Sequence, residues 1–389
     1  MVSLKSFKLH NNTKNHVASV FQKLTDRWNG FSLWAQVLIA CSLFIVGFIF
    51  VGVVADQALN DLTPGADERS VPASFNEVRS TFLRYDSNHY VNIVKSGYNP
   101  MEVAFFPLYP LLVKAVTKLG ISPETALYII SLVCFYGAML VVAYWLRYEL
   151  KLRKITASPW STLGLMLIFP TAFFLVLGYT EGLFILVTVG ALYSYRRGYY
   201  IPAAILMTLA TLTRVQGGAV AVFFLIDYLL SKRYKVDWKK LLPIAGAFIG
   251  LSLYMWWLWS NFGSPLAFIE AQRYWGRLDT NILSNLISSF RPVYLWYIPV
   301  LVLMLWSVYR YLGWAWLTYS LIYILIPLAS GRLDSLNRYM IGLPVLFFAL
   351  SLALSDKAMP KWVKTTFVIS CAFLFAWNML LFLNDYWVA

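Results

Sequence analysis

Long apolar runs alternate with short polar segments along most of this chain. The first run, Trp34 to Ala55, holds 22 residues without a charged side chain. At about 1.5 Å per helical residue, that length crosses roughly 30 Å of hydrocarbon. Together, the runs predict about eleven membrane-spanning helices, at 34–55, 123–146, 159–179, 180–195, 199–213, 215–230, 241–260, 291–309, 312–330, 337–354 and 363–383.

A stretch without a span, 56–122, interrupts this pattern after the first span and predicts a large outer loop, of which 56–104 are polar. Ser74 and Glu77 have the spacing of a capping box, which indicates a short helix on the membrane surface. A second helix is predicted to begin near Asp86 and to stop at Gly97, where a left-handed residue can end it. Residues 105–119 are apolar but too short to span, which suits an interfacial or re-entrant segment.

Two of the predicted spans, 180–195 and 199–213, are short for a bilayer and are expected to be tilted, broken or partly re-entrant. Gly246 and Gly250 have the spacing of a GxxxG motif. This spacing indicates a close approach between two helices more often than it indicates chemistry.

The composition agrees with a polytopic all-α membrane protein. Hydrophobic residues make up 60% and charged residues 13% of the 389 positions, whereas soluble domains have about 25% charged residues. Three cysteines, each in an apolar run and with no CxxC pair, give no support for a disulfide framework or a cysteine metal site. Residues 1–33 are basic and predict a cytoplasmic arm, either lying on the headgroups or mobile, and 34–389 predict one membrane-embedded catalytic domain.

The net charge of +14 is distributed unevenly between the two membrane faces. With the N-terminus inside and the spans alternating, 20 of the 32 basic and five of the 18 acidic residues fall on the inner side. The inner side then carries +15 and the outer side −1, which is the positive-inside pattern. The basic excess therefore reports topology, and nucleic acid is not expected as a partner.

The same topology places on the outer side the polar side chains that could take part in chemistry. No nucleotide-binding or hydrolase motif is present, so an outer-face enzyme needs an activated substrate brought by a lipid. A polyprenyl-phosphate sugar has a good leaving group, and one carboxylate acting as a base on the acceptor hydroxyl is sufficient for its transfer. Arginines can stabilise the departing phosphate. The outer-side residues that could contribute to such a site are Asp86, Glu181, Arg214, Arg273, Arg277, Arg332, Asp334 and Arg338.

Several segments carry a more specific signal. RYDSNHYVNIVKSGY at 84–98, followed by AFFPLYPLL at 104–112, resembles the signature of the GPI mannosyltransferase II (PIG-V-like) family of the GT-C membrane glycosyltransferase superfamily. Tyr85 stands where that family more often has Trp. The later segments PTAFFLVLGYTEGLF, LTRVQGG and SLNRYMIGLPVLF also resemble it, and the resemblance extends from about residue 80 onward.

The resemblance implies a GT-C-like bundle and inverting transfer of a hexose, usually mannose, from a polyprenyl- or dolichyl-phosphate donor on the outer or luminal face. Asp86 would be the catalytic base. The acceptor, a glycan, lipid or protein, does not carry over, since many prokaryotic members cannot make GPI. A bacterial or archaeal plasma membrane is favoured, with the ER membrane as the alternative. No cofactor is required, and a divalent metal is left open. The predicted substrate-binding residues are His89, Tyr90, Glu181, Arg214 and Arg338.

Each assignment has a rival explanation. Asp86 could simply cap a helix, and Glu181 could be a helix-start glutamate that interacts with the helix dipole. Arg214 and Arg338 could be interface anchors rather than phosphate ligands. A transporter or lipid flippase is the main alternative function. That reading expects interrupted spans in two matching halves with ionisable groups near mid-membrane, and no such repeat is visible.

Overall fold

The computed structural model describes residues 26–59, 83–231, 237–277, 282–329, 331–383 and 386–388. Within these ranges the chain consists of helices and loops, with no strand, which confirms the all-α prediction. Most of the basic arm and the surface helix predicted around Ser74 and Glu77 lie outside the described residues. The α-helices are α1 (Leu33–Leu59), α2 (Asp86–Ser96), α3 (Leu108–Thr117), α4 (Pro123–Leu152), α5 (Pro159–Ile168), α6 (Glu181–Arg196), α7 (Tyr200–Thr213), α8 (Gly217–Leu230), α9 (Leu242–Phe262), α10 (Ala267–Glu270), α11 (Ile282–Ser288), α12 (Tyr294–Ser307), α13 (Trp314–Leu328), α14 (Leu336–Ile341), α15 (Pro344–Ser355) and α16 (Lys361–Leu383).

Five helical segments in the described part are long and apolar enough to cross a membrane. A helix can do so because all its backbone hydrogen bonds are internal. Six further apolar helices, among them α3, α7 and α8, have ten to 17 residues. The chain is therefore a polytopic membrane protein, as the apolar pattern predicts. The five long segments are Leu33–Gly52, Pro123–Leu152, Trp238–Phe262, Tyr294–Leu312 and Lys361–Leu383.

Two predicted spans are not continuous helices; one break lies before Glu181 along the chain and the other lies after Arg338. The span predicted at 159–179 ends as an α-helix at Ile168 and continues as a short 3₁₀ turn, Ala172–Leu175. The span predicted at 337–354 breaks between α14 and α15, at Gly342 and Leu343. Prolines explain both breaks, since Phe169 precedes Pro170 and Leu343 precedes Pro344, and the residue before proline disfavours the helical conformation.

The two glycines of the GxxxG spacing confirm a close helix contact. A Cβ added at Gly246 would overlap the Ala204 carbonyl group, and one at Gly250 would overlap the Thr208 carbonyl oxygen. Ala204 and Thr208 belong to α7, so α9 and α7 pack with their backbones nearly touching. The Thr208 hydroxyl donates to the Gly246 carbonyl oxygen at 2.9 Å. Small residues permit this approach without any chemical role.

Candidate active site

The start of α2 is held in a strained and well-anchored position. Tyr85, immediately before Asp86, has φ of 54°, in the left-handed region that non-glycine residues rarely adopt. The Ser87 hydroxyl donates to the Gly178 carbonyl oxygen at 3.0 Å, and both groups are buried. The Tyr179 hydroxyl donates to the carbonyl oxygen of Arg84 at 3.0 Å. The break after α5 therefore supplies the surface that fixes where α2 begins.

Asp86 itself pairs with an arginine from the opposite end of the sequence. Arg338 Nη2 lies 2.7 Å from Asp86 Oδ2, and the Asp86 side chain is 19% exposed. The cap position of α2 is Tyr85, with no side-chain capping bond. The capping explanation for Asp86 therefore gains no support from this geometry, while an accessible carboxylate beside a fixed cation suits base chemistry.

Glu181 is the buried centre of the cluster. Glu181 is the first residue of α6 and is fully buried. Its Oε1 accepts hydrogen bonds from Arg214 Nη1 at 2.8 Å and from Arg338 Nε at 2.7 Å. Its Oε2 is buried and has no hydrogen-bond partner among the described residues. Arg338 thus bridges Asp86 and Glu181. Two carboxylates and two guanidinium groups balance to zero charge, which makes their burial tolerable.

Aromatic rings enclose both guanidinium groups. The Cζ of Arg338 lies 5.0 Å from the Tyr179 ring centroid and 5.6 Å from that of Phe174. The Cζ of Arg214 lies 5.1 Å from the Tyr339 ring centroid. A cation close to a ring face is attracted by the ring quadrupole. These rings therefore restrict the arginines while leaving their charge intact.

The structure places His89 beside the cluster, one helical turn after Asp86. Its ring stacks on Phe105 and meets Trp275 edge-on, each with a centroid distance of 5.0 Å. His89 Nδ1 lies 3.7 Å from Glu102 Oε1, beyond hydrogen-bond distance. Glu102 is 3% exposed. His89 is thus part of an aromatic wall with a buried carboxylate behind it.

Tyr90 is buried in the same wall, where its ring packs edge-on against Phe105 and Tyr109. Burial, and to a smaller extent the Asp86 carboxylate, raises the pKa of the Tyr90 phenol above its usual range. This hydroxyl stays protonated at physiological pH. The FFPLYP segment, 105–110, contributes Phe105 and Tyr109 to this wall.

Sequence reasoning missed two residues of this region. Glu102 lies between the two motif segments, and an acid retained in a stretch that is otherwise apolar and aromatic was the available signal. Trp275, which shares a loop with Arg273 and Arg277, is the second, because its ring contacts His89. Arg273 in the same loop is exposed.

In the part of the chain that the structure describes, no three His, Cys, Asp or Glu side chains come together as a metal-binding group. The divalent metal left open by the sequence therefore stays untested. The candidate site collects Asp86, Glu181, Arg214 and Arg338 directly, with His89 and Tyr90 in the adjoining wall.

A family model described as Mannosyltransferase (PIG-V) matches residues 37–382. The chain belongs to the PIG-V mannosyltransferase family. This match covers most of the sequence, including every residue of the cluster, and confirms the resemblance seen in the motifs. Membership of a transferase family favours the glycosyltransferase interpretation over the transporter.

One relative of this PIG-V family chain is GPI mannosyltransferase 2 from Yarrowia lipolytica. The two are 31% identical over 176 residues, which is 40% of this chain and 48% of the yeast protein. The matched region thus spans about half the length of that relative.

Two solved structures are similar to this chain at low identity. ArnT from Cupriavidus metallidurans, bound to undecaprenyl phosphate, has 12% identity and a TM-score of 0.49, covering 88% of this chain and 75% of ArnT. The oligosaccharyltransferase AglB from Archaeoglobus fulgidus, in complex with an inhibitory peptide and a dolichol-phosphate, has 12% identity and a TM-score of 0.40, covering 88% of this chain and 55% of AglB.

Proposed function

We propose that this chain is an inverting mannosyltransferase that moves mannose from a polyprenyl- or dolichyl-phosphate donor to a lipid- or protein-linked acceptor. The observation that carries the proposal is the contact of Asp86 with Arg338. It puts an accessible carboxylate, at the start of an interfacial helix, next to a buried cation. Family membership supplies the reaction class, and the site geometry supplies the residues.

Asp86 acts as the general base. Its carboxylate takes the proton of the acceptor hydroxyl while that oxygen bonds to the anomeric carbon of the sugar. The bond from this carbon to the phosphate oxygen breaks, and the phosphate leaves with the bonding electron pair. The transition state resembles an oxocarbenium ion, and attack opposite the leaving group inverts the anomeric configuration.

The arginines stabilise the phosphate as its negative charge grows. Arg338 uses Nε and Nη2 for the two carboxylates, and Arg214 uses Nη1 for Glu181. Guanidinium groups carry five N–H donors each, so both side chains keep donors for a further anion. Glu181 holds the two cations near each other, which offsets their mutual repulsion before the donor arrives.

The working face is proposed to lie outside the cytoplasm, with the N-terminus inside. The positive-inside charge distribution supports this orientation. A bacterial or archaeal plasma membrane is the proposed location. The ER membrane is the alternative, which the yeast relative favours.

A transfer assay in sealed vesicles of known orientation tests the activity and its side together. A short-chain polyprenyl-phosphate carrying radiolabelled mannose is added outside, with the matching glucose donor as control and a panel of lipid and peptide acceptors. We expect labelled product with mannose in right-side-out vesicles before any detergent is added. Equal labelling with glucose would reject the sugar assignment, and product only after lysis would reject the orientation.

A further inference from the structure

A short segment that follows α16 packs against the candidate active site. The backbone N–H of Tyr386 donates to the Leu381 carbonyl oxygen at 3.0 Å, which ties this segment to the end of α16. The Val388 carbonyl oxygen then accepts from Asn337 Nδ2 at 2.6 Å, with Asn337 1% and Val388 9% exposed. A buried hydrogen bond from this segment therefore ends at the residue next to Arg338.

Asn337 connects this segment to the conformation of Arg338. The Asn337 Oδ1 accepts from the backbone N–H of Arg338 at 3.0 Å, and its backbone carbonyl oxygen accepts from the Thr171 hydroxyl at 2.9 Å. Two residues earlier, Ser335 has φ of 71°, so the turn that introduces α14 is strained. A strained turn persists only when its surroundings fix it, and Val388 is part of those surroundings.

Trp387 lies between the two segments that carry the charged pair. Its ring is 6.0 Å from the Cζ of Arg338 and meets the Tyr85 ring edge-on at a centroid distance of 4.8 Å. Tyr85 directly precedes Asp86 and has the second strained backbone of the site. One side chain thus contacts both the arginine and the residue that sets the position of the carboxylate.

We infer that Trp387 is a positioning residue for the Asp86–Arg338 pair. It holds the start of α2 against α14 and limits the directions open to the Arg338 guanidinium. The inference rests on the proposed function, because it assigns a role in the same transfer. A shift of about 1 Å in a reacting group can cost about a hundredfold in rate. Loss of this contact should therefore lower turnover strongly without removing any group that binds substrate.

Trp387→Ala is the test variant, and Trp377→Ala is its control. Trp377 lies on α16 with 48% of its surface exposed. We expect Trp387→Ala to lower kcat about tenfold or more, with KM for donor and acceptor within about twofold. Trp387→Phe should recover most of kcat, because a ring still faces Tyr85 and Arg338. Trp377→Ala should leave both constants unchanged.

A double substitution separates positioning from general loss of structure. If Trp387 acts through Tyr85, Trp387→Ala combined with Tyr85→Leu should be little worse than the more damaging single variant. Fully additive losses, or equal losses in the Ala and Phe variants at unchanged Tm, would overturn the inference.

Hydrogen exchange gives a readout that does not depend on the reaction. Trp387→Ala should raise amide exchange at residues 84–90 relative to Trp377→Ala. Unchanged exchange there would reject the positioning role. Absence of mannose transfer by the wild-type protein would instead reject the proposed function. The two failures are therefore distinguishable.

Discussion

Two buried glutamates each bind two arginines: Glu181 at the start of α6, and Glu149 near the end of α4, where it contacts Arg196, the last residue of α6. At the end predicted to face outward, Glu181 binds Arg214 and Arg338, with Asp86 as a second carboxylate. At the other end, Glu149 binds Arg153 and Arg196, with Asp227 as its second carboxylate. Both clusters hold two acids and two bases, and both glutamates are fully buried.

The hydrogen bonding of the two glutamates differs. Glu149 accepts hydrogen bonds on both carboxylate oxygens. Arg196 Nε donates to Oε1 at 2.7 Å, and Arg153 Nε donates to Oε2 at 3.1 Å. Glu181 directs both arginines to Oε1 and leaves Oε2 without a partner among the described residues. The Glu149 cluster is saturated, whereas the Glu181 cluster retains hydrogen-bonding capacity inside a buried site.

The surroundings differ as well. The Glu149 cluster joins the ends of regular helices. One of its pairs is an i,i+4 contact between Glu149 in α4 and Arg153, the residue that ends this helix. The Glu181 cluster is assembled at helix breaks, with a positive φ at Tyr85 before α2 and at Ser335 before α14, whereas the positive φ beside the Glu149 cluster, at Lys154, follows the regular end of α4. Saturated bonding between helix ends stabilises a bundle, whereas unsaturated bonding at strained positions is typical of a site that binds or reacts. The comparison therefore distinguishes the Glu149 cluster, which has the geometry of a structural element, from the Glu181 cluster of the same composition, which we propose is functional.

The largest expected effect comes from removing the base. Asp86→Asn keeps the size of the side chain but cannot accept the acceptor proton, and base catalysis is typically worth about 10²–10⁴-fold. We expect transfer to fall at least about a hundredfold at normal expression, with little recovery in Asp86→Glu. Asp227→Asn is the matched control in the structural cluster and should retain activity. Near-normal turnover in Asp86→Asn would falsify the catalytic assignment and return the capping explanation.

The next effect concerns the donor phosphate. Arg338→Gln should raise the donor KM by about tenfold to a hundredfold, since a hydrogen bond to a charged group is worth about 1.5–3 kcal/mol. Arg214→Gln should have a smaller effect, because Arg214 contacts one carboxylate and Arg338 contacts two. Arg338→Lys should rescue poorly, since an ammonium group cannot reproduce the planar fork.

Initial rates with donor and acceptor varied separately test this prediction. Arg153→Gln in the other cluster should leave both KM values unchanged. A donor KM equal to wild type in both Arg338→Gln and Arg214→Gln would mean that these arginines only anchor the helices.

The smallest expected effect compares the two glutamates directly. Glu181→Gln should lower turnover per folded molecule about tenfold, because the two arginines lose their common charge partner and separate. Glu149→Gln should lower Tm and leave turnover per folded molecule within about twofold. Thermal unfolding in detergent, combined with activity normalised to folded protein, separates the two outcomes. Equal losses of turnover in both variants would remove the functional distinction between the clusters.

The sequence predicts local features of the site well. The helix from Asp86 to Ser96 ends at Gly97, as predicted; its φ of 83° favours glycine, but its ψ of −177° lies outside the left-handed helical conformation. Capping, glycine stops and apolar length depend on neighbouring residues, so they can be read from a short window of sequence. The contacts of Glu102, Trp275 and Trp387 could not be predicted from sequence, because the partner of each lies in another segment of the bundle.

Apolar run lengths determined an all-helical membrane protein, since a bilayer accepts a chain only when helices satisfy its backbone polar groups. The motif around Asp86 determined the family. Only the tertiary structure decided that Arg338 bridges Asp86 and Glu181, and that Glu149 rather than Glu181 has both oxygens bound. The physical reason is that a buried charge is tolerated only beside a partner, and the bundle's packing selects that partner from distant helices.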